Sequence, residues 1–73
     1  MKTKNAYSYR DTAEALILNI VTNIPKTTHR IQSEAQLYFT KIHFATVKRL
    51  LNNLWKKGKV RKIEMGRYDL WSR

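Results

Sequence analysis

The sequence predicts a mainly α-helical domain that ends in a small β-hairpin. Two stretches, 13–24 and 44–54, place apolar residues at the three- and four-residue steps of an amphipathic helix, and a shorter apolar pattern lies between them. Residues 59–73, KVRKIEMGRYDLWSR, instead alternate branched or aromatic residues with charges on both sides of a glycine, which is typical of two short strands. A chain of 73 residues has room for one domain of this kind.

The first helix is predicted to begin at Asp11. Asp11 and Glu14 have the spacing of a capping box, in which the two side chains satisfy free amides of the first turn. Pro25 ends the helix because the residue before a proline disfavours helical backbone. Residues 1–10 carry no period and are predicted to form a flexible or loosely docked N-terminal arm, which leaves 11–73 as the folded domain. The helix directs one apolar stripe at the core: Ala13, Leu16, Ile17, Ile20, Val21 and Ile24.

The second helix is predicted to be short. Thr27 or Thr28 is its expected N-cap, and the helix is expected to extend to Tyr38 or Phe39, with a break near Thr40. The apolar residues of this helix are Ile31, Ala35 and Leu37.

The third helix is predicted from about His43 to Lys57, where Gly58 supplies the left-handed conformation that ends it. The hairpin that follows is predicted to turn at Met65 and Gly66. A two-stranded ribbon is marginal in water, so we expect it to lean on the helices through apolar side chains. The inward residues of the third helix are Phe44, Val47, Leu50, Leu51 and Leu54, and those of the hairpin are Val60, Ile63, Leu70 and Trp71.

The aromatic residues of this half are predicted to serve the fold. Trp55, at the flank of the third helix, Tyr68 and Trp71 are expected to be core or hairpin anchors, because base stacking on single strands usually needs several exposed rings along a groove.

The charge of the chain indicates a polyanionic partner. Fifteen Lys and Arg against five Asp and Glu give a formal charge of +10 and a pI near 10.3. Residues 1–40 carry five basic and three acidic side chains, a net +2, whereas residues 41–73 carry ten and two, a net +8. Charge that only aids solubility is rarely segregated onto one half of a small domain, so we favour a binding face.

The composition argues against several other functions. The chain has no cysteine, which removes disulfides, thiolate catalysis and thiolate zinc sites. Five scattered carboxylates, two histidines and no glycine-rich loop provide neither an acid–base pair nor a metal set, so we expect no enzyme, no metal and no cofactor. The longest apolar stretch, 15–21, is too short for a membrane span and no segment resembles a signal peptide, so we expect a cytoplasmic protein.

Three helices followed by a basic hairpin is the element order of a three-helix winged helix-turn-helix, and the chain resembles that family over about residues 11 to 72. The resemblance is carried by the stripe of the first helix, by TTHRI at the start of the second, by TVKRLLNNLWKKGKV in the third, and by Trp71 in the final strand. Within the family the chain is most similar to the small regulators of fimbrial operons, of the FaeA and PapI type, which also end in a short wing with a tryptophan. Ile31 and Val47 lie sixteen residues apart, further than in those regulators, so either the second helix is extended or the turn after it carries an insertion.

The segment LWKKGKV also resembles winged domains that bind left-handed DNA. When the chain is aligned on residues 57–59, the positions where those domains use an asparagine and a tyrosine hold Lys48 and Asn52. The hairpin also lacks the prolines of their wing, so this comparison implies little for function.

The resemblance to winged helix-turn-helix proteins implies a small transcriptional regulator that binds double-stranded DNA, with its third helix in the major groove. The basic wing then lies on the backbone or in the minor groove. If the leucines of the third helix face the core, the opposite side carries a row of polar residues, and arginine and asparagine are suited to reading guanine and adenine. The free amides at the start of the third helix can bind a phosphate. The second helix of the chain, which corresponds to the first helix of the helix-turn-helix motif, is expected to contact a phosphate as well. The predicted nucleic-acid-binding residues are Arg30, Lys41, His43, Thr46, Lys48, Arg49, Asn52, Asn53, Lys56, Lys59, Arg61, Lys62 and Arg67.

The sequence is also compatible with other functions. The polar side of the third helix is also what a solvated helix back looks like. A second function keeps the fold as a protein-interaction module with weak, non-specific nucleic-acid binding, and a third makes the basic half a binder of RNA or of a membrane surface, which the core packing of the leucine row argues against. Besides double-stranded DNA, the predicted partner is a homodimer copy or a second regulatory protein, and no membrane. The predicted location is the cytoplasm, with nucleoid association in a prokaryotic or viral context.

Overall fold

A computed structural model describes residues 9–73 as three helices and a small three-stranded antiparallel sheet. Residues 1–8, most of the predicted N-terminal arm, lie outside the described residues. Within the described chain, no helix combines the length and the hydropathy that a membrane crossing requires. The elements in chain order are α1 (Tyr9–Ile20), β1 (Lys26–Thr27), α2 (Thr28–Ala35), α3 (Phe44–Lys56), β2 (Arg61–Glu64) and β3 (Asp69–Ser72).

The core lies between the three helices and the inner face of the sheet. Trp71 of β3 is fully buried, and Val60 closes the core just before β2. The predicted stripe of α3 is confirmed, because four of its five residues are buried and Phe44 is half-buried. The remaining buried apolar residues come from α1, α2 and the connecting turns: Ala13, Ile17, Ile20, Val21, Ile31, Ala35 and Ile42.

α1 differs from the prediction at both ends. The helix begins at Tyr9, so Asp11 is its third residue and the predicted capping box is wrong; the Glu14 carboxylate instead pairs at 2.6 Å with Lys57, the C-cap of α3. The helix ends at Ile20, and Ile24 is 73% exposed, so its predicted place in the core stripe is wrong. The Thr22 hydroxyl accepts a hydrogen bond from the Ile24 amide at 3.3 Å, a local turn that competes with continued helix.

Two cations from outside α1 bind carbonyl groups at and just after its C-terminal end. The Arg73 guanidinium donates to the carbonyl oxygens of Val21 at 2.8 Å and Leu18 at 2.6 Å, and the Lys26 ammonium donates to that of Ile20 at 2.9 Å. These carbonyl groups have no partner within the helix and carry its partial negative charge, so cations stabilise them. α1 therefore ends where Lys26 and Arg73 supply partners for these carbonyl groups.

α2 has the predicted cap and an earlier end than predicted. The Thr27 hydroxyl accepts from the Arg30 amide at 3.1 Å, which confirms Thr27 as the N-cap. The helix stops at Ala35, and Leu37 and Tyr38 are 78% and 70% exposed, so the predicted extension is wrong. The wide spacing between the apolar residues of α2 and α3 therefore reflects a longer turn, 36–43.

A buried isoleucine explains the path of this turn. The Ile42 side chain is only 2% exposed, and its carbonyl oxygen accepts from the side-chain amides of Gln32 at 3.3 Å and Gln36 at 3.4 Å. The Ile42 amide in turn donates to the Phe39 carbonyl at 3.0 Å. Burial of Ile42 draws the chain back to the core before α3 begins.

The sheet contains one more strand than predicted. β3 is central and pairs with β2 on one side and with the two-residue β1 on the other, in the order β1-β3-β2. The predicted hairpin is confirmed, but its loop runs over residues 65–68 and Gly66 has a φ of +96°. Ile63 is 38% exposed, so its predicted contact with the core is wrong; it pairs with Leu70, which is only half-buried.

Candidate nucleic-acid interface

The outward side of α3 is cationic. Lys48, Arg49 and Lys56 are exposed, as predicted for residues that read or contact a partner. Thr46 and Asn53, which belong to the same predicted set, are half-buried. Each residue turns the helix by about 100°, which puts these two near the edge of the buried stripe and brings Arg49 and Lys56 to the middle of the outward side.

A shallow polar groove connects α3 with the hairpin. It has a volume of about 200 Å³ and is lined by Lys48 of α3 and by Arg67 in the hairpin loop. Residues 27–29 at the start of α2 form its third wall, and the rings of His29 and Phe44 lie beside each other with centroids 4.4 Å apart. The fold therefore brings two predicted binding cations, 19 positions apart in the sequence, onto one groove.

Ion pairs separate the predicted cations into two groups. Arg30 is paired with Glu34 at 3.1 Å, and the Lys62 ammonium lies 3.9 Å from the Glu64 carboxylate. Within residues 12–73, whose side chains the structure describes, the other predicted cations make no ion pair. The unpaired ones are Lys41, Lys48, Arg49, Lys56, Lys59, Arg61 and Arg67.

The two cations at the start of β2 have different surroundings. Neighbouring residues of a strand point to opposite faces, so exposed Arg61 faces outward whereas Lys62 faces α3. Lys62 is directly opposite Trp71 in the β2–β3 pair and its side chain is 15% exposed. Both residues belong to the predicted nucleic-acid-binding set, because the sequence alone does not show the strand register that assigns each to a face.

Two further predicted cations lie away from the groove. Lys59 follows α3 and lies with Glu14 and Lys57 at the α1 side of the domain. Arg30 lies with Lys26 and Leu70 at the β1 edge. Neither residue lines the groove between α3 and the hairpin.

The start of α3 has an open cap. His43 occupies the N-cap position with extended backbone, at φ −87° and ψ 155°, but its side chain makes no capping hydrogen bond. Lys41, two residues earlier, is exposed. The amides of the first turn are thereby left without a side-chain acceptor from His43, in an arrangement that suits an anion.

Several groove residues were absent from the predicted set. His29 and the two threonines before it line the groove because β1 pairs with β3, which no local pattern indicates. Tyr68 also lines it and is 50% exposed, and Trp55 is 45% exposed. The prediction that these two rings are anchors is therefore only partly correct, whereas for Trp71 it is confirmed.

Among the described residues, no group of three or more His, Cys, Asp or Glu side chains is placed to hold a metal ion. Comparisons of the chain with protein-family models, with curated proteins and with solved structures find no match.

Proposed function

We propose that this protein is a small winged helix-turn-helix transcriptional regulator that binds double-stranded DNA. In this proposal α3 enters the major groove and the β2–β3 hairpin, as the wing, lies on the backbone or in the minor groove. The observation that carries the proposal is the groove in which Lys48 of α3 and Arg67 of the hairpin loop lie together. A helix flanked by a cationic loop matches the alternation of groove and phosphate along a duplex.

The unpaired cations support a phosphate-binding role. Lys48, Arg49 and Lys56 are exposed on α3 and make no ion pair within residues 12–73, so their charge is available to an external anion. Arg67 adds charge at the loop and Lys41 at the start of α3. Neutralising about six phosphates gives a slope near −5 when log affinity is plotted against log salt concentration.

Base reading is assigned to the polar residues of α3. The Arg49 guanidinium is exposed at the centre of the outward side and has the two parallel donors that guanine accepts in the major groove. Asn52 lies one turn after Lys48 and one turn before Lys56, on the same side. Thr46 and Asn53, at the edges of this side, serve as lateral contacts to backbone or base.

Selection of bound duplexes from a random-sequence pool at near-physiological salt tests the proposal. An enriched motif that weakens in the Arg49→Ala variant is the expected result. Lys57→Ala is the matched control, because Lys57 is a cation at the end of the same helix that is paired with Glu14. Binding without enrichment, or equal loss in both variants, contradicts sequence-specific regulation.

A second candidate function is a winged-helix protein-interaction module with weak, non-specific nucleic-acid binding. Three exposed apolar side chains favour it: Ile24 at 73%, Leu37 at 78% and Tyr38 at 70%. Such side chains are candidate contacts for a second copy of the chain or another regulatory protein. Sedimentation of the Leu37→Ser/Tyr38→Ser variant against the wild type, over a range of concentrations, tests the homodimer: a concentration-dependent mass that the variant loses supports it.

A further inference from the structure

A side chain of the hairpin contacts the outward side of α3. The Lys62 ammonium donates a hydrogen bond to the side-chain oxygen of Asn52 at 3.4 Å. Asn52 is half-buried and lies between Lys48 and Lys56 on the side of α3 that the proposed function directs at DNA. The amide of a candidate base-reading residue is thus connected to the hairpin.

Lys62 is held in place on several sides. Its ammonium lies 4.8 Å from the ring centroid of Trp55 and 5.6 Å from that of Trp71, within the range of cation–π attraction. The Glu64 carboxylate, at 3.9 Å, supplies the opposite charge. With 15% of its side chain exposed, Lys62 has little freedom to leave this position for a phosphate.

We propose that Lys62 is a positioning residue that fixes the orientation of the Asn52 amide and thereby determines which bases it reads. This inference rests on the proposed DNA-binding function and specifies the recognition chemistry of the same site. An ammonium has donors and no acceptor, so it selects the amide oxygen of Asn52 and turns the NH₂ group away from the hairpin. Asn52 then presents a hydrogen-bond donor to the partner.

An amide that presents only its donor makes fewer contacts to a base edge than an amide that is free to rotate. Asparagine distinguishes adenine by a bidentate contact in which its oxygen accepts from N6 and its nitrogen donates to N7. Lys62 directs the oxygen of Asn52 toward the hairpin, so the amide group that faces the partner is the donor to N7, and guanine offers N7 as well. The wild-type protein is therefore expected to accept either purine at the position that Asn52 contacts.

The test compares duplex selection for the wild type and for the Asn52→Ala, Lys62→Met and Lys62→Arg variants, below the melting temperature of each. Asn52→Ala identifies the position that Asn52 reads, because base preference there is lost. The wild type should accept both purines at that position, whereas Lys62→Met frees the amide and should prefer adenine about fivefold or more. Lys62→Arg keeps a donor and should retain the wild-type preference.

Each other outcome overturns the inference in a distinguishable way. A Lys62→Met variant that binds more weakly with unchanged preference shows that Lys62 serves stability alone. A wild type that already prefers adenine about fivefold contradicts the fixed donor, and this result does not require Lys62→Met to fold. A motif with no position that depends on Asn52 removes this inference and leaves the proposed function intact, whereas the absence of any motif removes both.

Discussion

The indole nitrogen of Trp71 donates a hydrogen bond to the hydroxyl of Thr28 at 2.8 Å, and both side chains are buried. This contact joins β3 to the first residue of α2, 43 positions away in the sequence. β1 pairs with β3 beside it, with Lys26 opposite Trp71. Together these contacts hold the hairpin against the helices, so that the loop carrying Arg67 lies next to the start of α2.

Loss of the Thr28 hydroxyl should destabilise the fold. Thr28→Val keeps the shape of the side chain but leaves the buried indole N–H of Trp71 without its acceptor. We expect the free energy of unfolding, measured by urea titration, to fall by about 1–3 kcal/mol. Thr40→Val is the matched control, because Thr40 is exposed, and it should change stability by less than about 0.5 kcal/mol. Equal effects of the two variants would show that the Trp71–Thr28 bond contributes nothing.

Arg73 should stabilise α1 through its C-terminal carbonyl groups. Arg73→Ala removes the guanidinium that donates to Leu18 and Val21, and we expect a loss of about 1–2 kcal/mol in thermal or urea unfolding. Arg67→Ala serves as the control, because Arg67 is exposed in the loop and makes no ion pair within residues 12–73. It should leave stability nearly unchanged. A larger loss for Arg67→Ala than for Arg73→Ala would contradict this assignment.

The corrected end of α1 leads to a third prediction. Ile17→Ala should cost about 2–5 kcal/mol of stability because Ile17 is fully buried in the core. Ile24→Ala, the same substitution at a residue that is 73% exposed, should cost less than about 0.5 kcal/mol. Urea titration of both variants measures these losses. A large loss of stability for Ile24→Ala would indicate a helix that continues to Pro25 and would contradict an end at Ile20.

The elements predicted well from the sequence are those whose signals are local. α3 combines four buried apolar residues with Gly58, whose φ of +76° confirms the left-handed conformation predicted at the end of the helix. The hairpin combines alternating residues with Gly66 at a positive φ. In both cases the pattern and the residue that ends or turns the chain agree, so local signals are sufficient to predict the element.

The elements predicted poorly depend on distant partners. α1 ends at Ile20, although the apolar period continues to Ile24, and the carbonyl groups at this end accept from Arg73 and Lys26. β1 has only two residues and exists through its pairing with β3, so it has no periodicity of its own. α2 ends early because Ile42, beyond the predicted break, is the residue that reaches the core.

The same distinction applies to the candidate interface. Exposure of Arg49, Lys48 and Lys56 follows from helical period, and the sequence predicts it. The strand register determines which hairpin cation is available to a partner. It leaves Arg61 exposed and places Lys62 opposite Trp71. The DNA-binding role of these residues itself stays a prediction.

The salt dependence of binding should separate the cations by position. Arg67→Ala should weaken binding to all duplexes alike and reduce the steepness of the log affinity against log salt plot by about one unit. Lys59→Ala removes the same charge at the α1 side of the domain and should change the slope less. Fluorescence anisotropy with a labelled duplex at several salt concentrations measures both slopes. Equal slopes for the two variants would contradict a contact site at the hairpin loop.

The most direct test of the central claim is an NMR titration of the ¹⁵N-labelled protein with a short DNA duplex recovered by selection. We expect the largest shifts of backbone resonances at Lys48, Arg49 and Lys56 of α3 and at Arg67 of the hairpin loop, with little change at Leu37 and Ile24. Shifts centred on Leu37, Tyr38 or Ile24, or no shifts as duplex is added, would contradict the proposal that α3 and the hairpin together bind DNA.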